Sequence, residues 1–493
     1  MNNLFLNDES KEYAKECFEE VLKIGTNFKL NKIFREKHFD PKFKENYFEI
    51  PNESQDLKKV INFFKEDILP YCTNFGSENF MGFPDAGNTI SGISGALLTD
   101  FLQQNLINSS FCAPIATFIE MSVIKVLRDI VGYSENEINN IWDVGGIITY
   151  GGTGSNSIAM LLARENHRNN TMENGITNPE DYKVIIPKGI GHYSIKSSLM
   201  WIGCGNNIIE VPTINYRYDL AELEKTLKEN KGKIMGVVAY VGDSRSMTID
   251  NLEKVANLVK GFDEKIWLHA DACHGFSLGF SEKLRNKIKG IELFDSISTD
   301  PHKVLAVPYT ISALLLKNPQ DLVKVTSTSD LIMKETYAFG QVTPFIGSKS
   351  WMSLKVWFAM QTLGKNGIGK MIEKRCAMAQ TLKLKLEQRK EYVVLNDVDI
   401  NSVMFMYVGD KYNITMNPDE INYINKEIKK KMDEDGIYFL HQFSIFDDNC
   451  MVSNSKDTLL YPLRFMSGND NISENTLDEV IEYIDNLVKN IVK

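Results

Sequence analysis

These 493 residues contain no tandem repeat, no low-complexity tract and no apolar run approaching the roughly 20 residues of a membrane span. Those absences exclude a solenoid, linker-joined modules and a helical membrane anchor. Cysteine is sparse and unpatterned. Cys17, Cys72, Cys112, Cys204, Cys273, Cys376 and Cys450 are odd in number and form no CxxC pair, which argues against both a disulfide framework and a metal site. Basic residues are outnumbered, 55 Lys and Arg against 65 Asp and Glu, for a net charge of −10. Such a balance keeps a protein soluble and disfavours nucleic acid or an anionic lipid surface as a partner. The first residues, MNNLFLNDES, lack the basic region and apolar core of a signal peptide. The expectation is a cytoplasmic protein with no membrane partner.

What is present is enough apolar material, 43% of residues, to bury a large core divided into two or three units. Residues 1–95 read as an N-terminal helical docking segment, with amphipathic stretches such as Leu57–Lys65 that need a partner surface. Residues 96–350 alternate helical stretches with short apolar runs (147–150, 184–187, 208–211, 235–241, 266–270 and 311–316), the pattern of a mostly parallel sheet covered on both faces. Residues 351–493 read as a smaller C-terminal α+β domain ending in an amphipathic helix from Glu474. The fold class is α/β. In such a sheet, ligand residues gather at strand ends.

Four segments carry candidate chemistry. Thr149-Tyr-Gly-Gly-Thr-Gly-Ser-Asn-Ser157 follows an apolar run and opens a helical one. Glycines admit close backbone approach, and helix N-terminal N–H groups favour phosphate; such a turn serves simple chain reversal as readily. It is neither a dinucleotide fingerprint nor a P-loop. Asp271, in His269-Ala-Asp-Ala-Cys-His-Gly275, ends an apolar run, where a buried carboxylate needs a cationic or hydrogen-bonding partner or acts as a helix cap. Lys303, in Asp300-Pro-His-Lys303, stands between a polar turn at 295–300 and an apolar segment, a setting that predicts a lowered pKa and a nucleophilic amine. His192, in Gly191-His-Tyr-Ser-Ile-Lys196, is placed to stack on a ring and exchange protons, or is structural. In this order, a phosphate cradle, a carboxylate at a strand end and a lysine about 30 residues later are the groups a pyridoxal-phosphate site needs.

The ordered set resembles the group II pyridoxal-dependent amino-acid decarboxylases, the family of aromatic-amino-acid, glutamate and histidine decarboxylases. The resemblance extends to Asn79-Phe-Met-Gly-Phe-Pro84, Ala113-Pro-Ile-Ala-Thr-Phe-Ile-Glu120 and Ser353-Leu-Lys-Val-Trp-Phe358. It implies the aspartate-aminotransferase-like fold (fold type I of pyridoxal-phosphate enzymes), and a homodimer with active sites at the interface. By the same resemblance Lys303 carries the cofactor as an imine, Asp271 partners its ring nitrogen and His192 stacks on the ring. Thr153, Gly154 and Ser155 would hold the phosphate with His302 beside it, and Gly347 and Ser348 would reach it from the neighbouring subunit. Tyr337, on a stretch 327–340 resembling a mobile lid, would deliver the proton to the substrate carbon. The implied reaction is decarboxylation of an L-amino acid to its amine.

Phe80, Phe83 and Phe111 favour an aromatic substrate. An acidic one would need a further cation such as Arg464 or Lys349, and branched aliphatic amino acids remain open. Two departures stand out: Gly242-Asp-Ser244 where many relatives have Gly-Thr-Thr, and Val304 where bulk usually follows the lysine. The string Asp-Ala-Cys-His-Gly also resembles the sphingosine-phosphate lyase branch, a carbon–carbon lyase of the same fold.

Overall fold

The computed structural model describes residues 5–38, 50–85, 87–134, 136–326, 335–342 and 345–492. A seven-stranded sheet organises the larger part. Its strands are β1 (Gly146–Thr149), β2 (Lys183–Pro187), β3 (Ile208–Val211), β4 (Ile234–Tyr240), β5 (Trp267–Asp271), β6 (Ser296–Thr299) and β7 (Ser312–Leu316). Their spatial order is β1-β7-β6-β5-β4-β2-β3. The run from β6 to β3 is parallel, and β7 is antiparallel to both its neighbours. Strands β1, β4, β5, β6 and β7 are buried along their whole length, as expected of apolar runs covered on both faces.

One strand departs from the sequence reading. Residues 295–299 read as a polar turn, yet Ser296–Thr299 is a buried strand. Its hydroxyls are tolerated because the sheet supplies partners: the Ser296 hydroxyl lies 2.8 Å from both the Trp267 indole nitrogen and His269 Nδ1.

The helices that bear on the site are α1 (Lys11–Leu30), α2 (Ile90–Leu102), α3 (Pro114–Ile130), α4 (Gly152–His167), α5 (Tyr193–Trp201), the single turn α6 (Pro301–Val304), α7 (Ser353–Glu387), α8 (Pro418–Asp435) and α9 (Glu474–Ile491). Helix α4 packs across the sheet and against α5. Helix α7 lies so close to α2 at Gly95 that a Cβ there would stand 2.9 Å from Leu354 O and Lys355 Cα.

Beyond α7 a second, four-stranded antiparallel sheet combines β8 (Tyr392–Val394), β9 (Ser402–Tyr407), β10 (His441–Gln442) and β11 (Leu463–Met466) in the order β8-β9-β11-β10. It has its own core, in which Phe405 and Phe465 pack with Ile428 of α8 and Leu477 and Ile481 of α9. Among the described residues no helix is long and apolar enough to cross a membrane.

Candidate active site

The parallel strands end on one side of the large sheet, and the segments beyond their ends line a cavity of about 320 Å³. From β1 come Gly151, Gly152 and Thr153, from the segment after β2 comes His192, and from β4 comes Tyr240. Strand β5 contributes Asp271 at its last residue, and the turn after β6 contributes Lys303 and His302.

Lys303 does not have the lowered pKa its surroundings predict. Burial alone would lower it, but Asp300, one helical turn back, places a carboxylate oxygen 2.8 Å from Nζ and raises it. The same contact acts in reverse on Asp300. Burial would push that carboxyl up, yet the charges of Lys303 and His302 and hydrogen bonds from Lys303 and Ser312 bring it down to about 2. The charge partner three residues away therefore outweighs the apolar wall.

Asp271 and His192 are joined through two side chains. Asn156 Nδ2 donates to Asp271 Oδ2 at 3.0 Å and to Ser194 Oγ at 2.7 Å. Ser194 Oγ in turn lies 2.6 Å from His192 Nδ1, which also accepts from the Ser194 backbone N–H at 3.2 Å because His192 is the N-cap of α5. With two donors aimed at Nδ1, the neutral ring carries its proton on Nε2. Burial lowers the His192 pKa, against the charge of Asp271, and favours that neutral form. The other oxygen of Asp271, Oδ1, has only long contacts among the described residues, 3.4 Å to Cys273 N and 3.5 Å to Ser298 Oγ.

At the glycine-rich turn, Gly151 adopts φ +86° with open space where a Cβ would be, and a Cβ on Gly152 would stand 2.8 Å from Cys273 Sγ. The turn therefore requires glycine at both positions and leaves the first N–H groups of α4 free of side-chain cover. Thr153 borders the cavity. Gly154 and Ser155 do not: a Cβ on Gly154 would face Thr149, and the Ser155 hydroxyl turns inward to Thr149 Oγ1 at 2.7 Å. His302 Nδ1 donates to Ile311 O at 2.7 Å. The neighbouring His274 is buried with Nε2 lacking any partner among the described residues.

These groups fit pyridoxal phosphate. The helix N-terminus suits its phosphate, the under-used Asp271 Oδ1 its ring nitrogen, and the Lys303 amine its aldehyde.

Other sequence candidates lie elsewhere. Tyr337 is half-buried against Phe118, ring centroids 5.2 Å apart, and does not border the cavity of its own chain. Most of its expected lid, residues 327–334, lies outside the described residues. Gly347 and Ser348 are exposed, with open space around Gly347. Phe80 is buried and stacked on Phe439 at 4.7 Å, Phe83 meets His441 at 4.9 Å, and Phe111 is 77% exposed; none of the three borders the cavity. Lys349 is buried in an ion pair with Glu120 at 2.8 Å. Arg464 on β11 donates to the carbonyls of Gly82 and of Ser244, a cavity-wall residue. Asp243, the departure in the 242–244 turn, is spent on that turn, accepting from the backbone N–H groups of Arg245, Ser246 and Thr248.

The pyridoxal-dependent decarboxylase conserved domain matches residues 42–408. The chain is 27% identical over 407 residues to an aromatic-L-amino-acid decarboxylase of Bacillus atrophaeus, covering 79% of each protein. It is 27% identical over 375 residues to an acidic amino acid decarboxylase of Mus musculus, covering 72% of this chain and 64% of the relative. Among solved structures, Oryza sativa TDC with PLP and tryptamine superposes with a TM-score of 0.86 at 18% identity, covering 99% of this chain and 100% of that one. The matched family, the fold-type-I architecture and a cavity suited to the cofactor agree: the chain belongs to the pyridoxal-dependent decarboxylase family and is a pyridoxal-phosphate-dependent amino-acid decarboxylase.

Proposed function

We propose that this decarboxylase acts on an aromatic L-amino acid, releasing carbon dioxide and the corresponding amine. The charge of the cavity carries the reading. Its wall holds the carboxyl groups of Asp243, Asp271 and Asp300, and its cationic lysine, Lys303, is already paired with Asp300. Of the two further cations an acidic substrate could use, Lys349 is paired with Glu120, and Arg464 gives its terminal nitrogens to two backbone carbonyls while its Nε lacks a partner among the described residues. A side-chain carboxylate would enter against like charge, whereas an uncharged ring would not.

In this reading Lys303 would hold the cofactor through its amine, and Asp300, 2.8 Å away, would stabilise that amine in its charged form whenever it is free. The bound cofactor supplies a conjugated ring that takes up the electron pair left when carbon dioxide departs. Asp271 keeps a carboxylate beside the ring nitrogen, favouring positive charge there. His192 is the ring-side imidazole, with Nε2–H as its proton donor toward the cavity. Thr153 and the N–H groups of Gly152 and Thr153 are assigned to the phosphate, with His302 beside it. Gly154 and Ser155 shape the turn.

Tyr337, Gly347 and Ser348 are assigned to the cavity of a second subunit. A homodimer is favoured by the exposed apolar side chains of Ile90, Phe101, Leu102, Ile115 and Phe118 on α2 and α3. The division at residues 95 and 350 and a cytoplasmic location belong to the same reading.

A second reading rests on Asp85. Its Oδ2 accepts from the Tyr309 hydroxyl at 2.6 Å, while Oδ1 is buried without a partner among the described residues, and burial raises the Asp85 pKa against the Tyr309 hydrogen bond and the charge of Lys303. That oxygen would suit a substrate side chain ending in a cation.

The deciding experiment offers the twenty amino acids to the loaded enzyme and measures carbon dioxide and amine. Aromatic amino acids turned over at least about tenfold better than glutamate and lysine support the first reading. Preference for glutamate or aspartate overturns it, and preference for lysine or arginine transfers it to the second. Borohydride reduction followed by peptide mapping should fix the cofactor on Lys303; recovery on another lysine refutes that assignment.

A further inference from the structure

Asn156 touches Asp271 directly and reaches His192 through Ser194, and its orientation is fixed by the partners around it. Trp267 Nε1–H is a donor only, and it points at Ser296 Oγ, 2.8 Å away. At the other end the Asp271 carboxylate only accepts, so Asn156 turns Nδ2 toward it and Oδ1 toward His269, whose proton therefore sits on Nε2 and whose Nδ1, 2.8 Å from Ser296 Oγ, accepts. His269 Nε2–H meets Asn156 Oδ1 at 3.0 Å. Burial drives the His269 pKa down to about 4, so this ring stays neutral and the direction of the chain holds. With Oδ1 taken, the two hydrogens of Asn156 Nδ2 go to Ser194 Oγ and Asp271 Oδ2. Reversing the amide would set its oxygen against the Asp271 carboxylate and its nitrogen against an N–H. Every donor in the series from Trp267 to His192 thus has one direction.

We propose that Asn156 is a positioning residue for the decarboxylation, holding Asp271 and His192 as one unit. Asp271 Oδ2 is occupied by Asn156, so Oδ1 is the oxygen left to face the cofactor ring nitrogen. His192 Nδ1 is occupied through Ser194, so the protonated Nε2 is the nitrogen left to face the cavity. Nothing in this arrangement transfers a proton through Asn156. It sets the orientation of two groups whose work needs them fixed to within a fraction of an ångström. The inference rests on Asp271 and His192 being the ring-nitrogen partner and the ring-side imidazole.

The test uses the full-length, cofactor-loaded enzyme and three variants. Asn156→Asp keeps the volume and the acceptor for His269, removes both donors, and puts a second carboxyl about 3 Å from Asp271. At pH 8 the expected result is a cofactor Kd about tenfold weaker and kcat about 100-fold lower, with KM changed less than about threefold. Two carboxyls that close share a proton readily as the pH falls. Protonated, the introduced group donates to Asp271 again, so the deficit relative to wild type at the same pH should shrink about tenfold between pH 8 and pH 6. A mere packing role would not produce that pH dependence. Ser194→Ala cuts the branch to His192 alone, and is expected to lower kcat about tenfold while leaving cofactor affinity within about twofold.

Asn156→Asp with wild-type Kd and kcat, or with a deficit that does not change with pH, overturns the proposal. So does a wild-type kcat in Ser194→Ala, which remains decisive if Asn156→Asp does not fold. Asp271→Asn, measured in parallel, separates the two levels. If it too binds and turns over as wild type does, the reading of Asp271 fails; if it is crippled and Asn156→Asp is not, only the positioning role fails.

Discussion

Lys303 Nζ and the carboxylate of Asp300 stand 2.8 Å apart, one helical turn from each other, and each shifts the other toward its charged form. The pair places a protonated amine where an unprotonated one is needed to capture an aldehyde.

Asp300→Asn should therefore speed cofactor capture by the apoprotein at pH 7.5 by about tenfold, because a partner charge this close shifts an amine by a unit or more. Growth of the cofactor absorbance band after mixing measures it. No acceleration would show that the amine is not held protonated by Asp300. The pair also has a stability signature. The Asp300 contribution is present above its ordinary pKa of 3.8 and is lost as pH falls toward about 2, and the Lys303 contribution is present below 10.5 and is lost as pH rises further. Apo Asp300→Asn should lose stability relative to wild type between those limits and match it at strongly acid pH.

His269 makes the fold acid-sensitive. Its pKa is lowered from 6.5 to about 4, chiefly by burial, so the folded state excludes a proton that the unfolded chain accepts. The stability it confers is complete above 6.5 and is lost as pH falls through 4, by about 3 kcal/mol in all. Urea unfolding at pH 7 and pH 4.5, in wild type and His269→Gln, measures that share; equal pH dependence in the two proteins would refute it.

Lys349→Met should destabilise the fold by about 3–5 kcal/mol, since it strands the buried Glu120 carboxylate without its cation. Replacing Glu120 by Gln in the same chain should recover much of the loss. KM should be unchanged in both, because Lys349 is a core residue; a raised KM would make it a substrate-binding candidate again.

If Tyr337 serves the neighbouring subunit, Lys303→Ala and Tyr337→Phe complement each other. Each homodimer should fall about 100-fold or more below wild type. Hybrids formed by mixing and refolding hold one cavity with both groups intact, and activity should return to about a quarter of the wild-type level from random pairing of equal amounts. No recovery, with hybrids demonstrated by native mass analysis, would put Tyr337 in its own subunit's site or out of catalysis.

Asp271 and Lys303 were legible in the sequence because their settings are local: a carboxylate at the end of an apolar strand, and a lysine in a tetrapeptide beginning a helical turn. The order of the motifs then pointed to the cofactor. The strand Ser296–Thr299 was not legible, since its serines look like a turn until Trp267 and His269 are seen to use one of them. Asn156 was visible only as one letter of a glycine-rich motif, because its partners Ser194 and Asp271 lie 38 and 115 residues away.

By itself, then, the sequence determined the periodicities, the order of the glycine turn, imidazole, carboxylate and lysine, and hence the family and its cofactor. Those depend on neighbours along the chain. Only the tertiary structure decided that Lys303 is charge-paired, that Ser155 turns inward, that Lys349 is spent in the core and that Asn156 joins Asp271 to His192. A pKa is set by every charge within a few ångströms and by burial, and a hydrogen bond's direction by its whole network, so neither can be read from spacing alone.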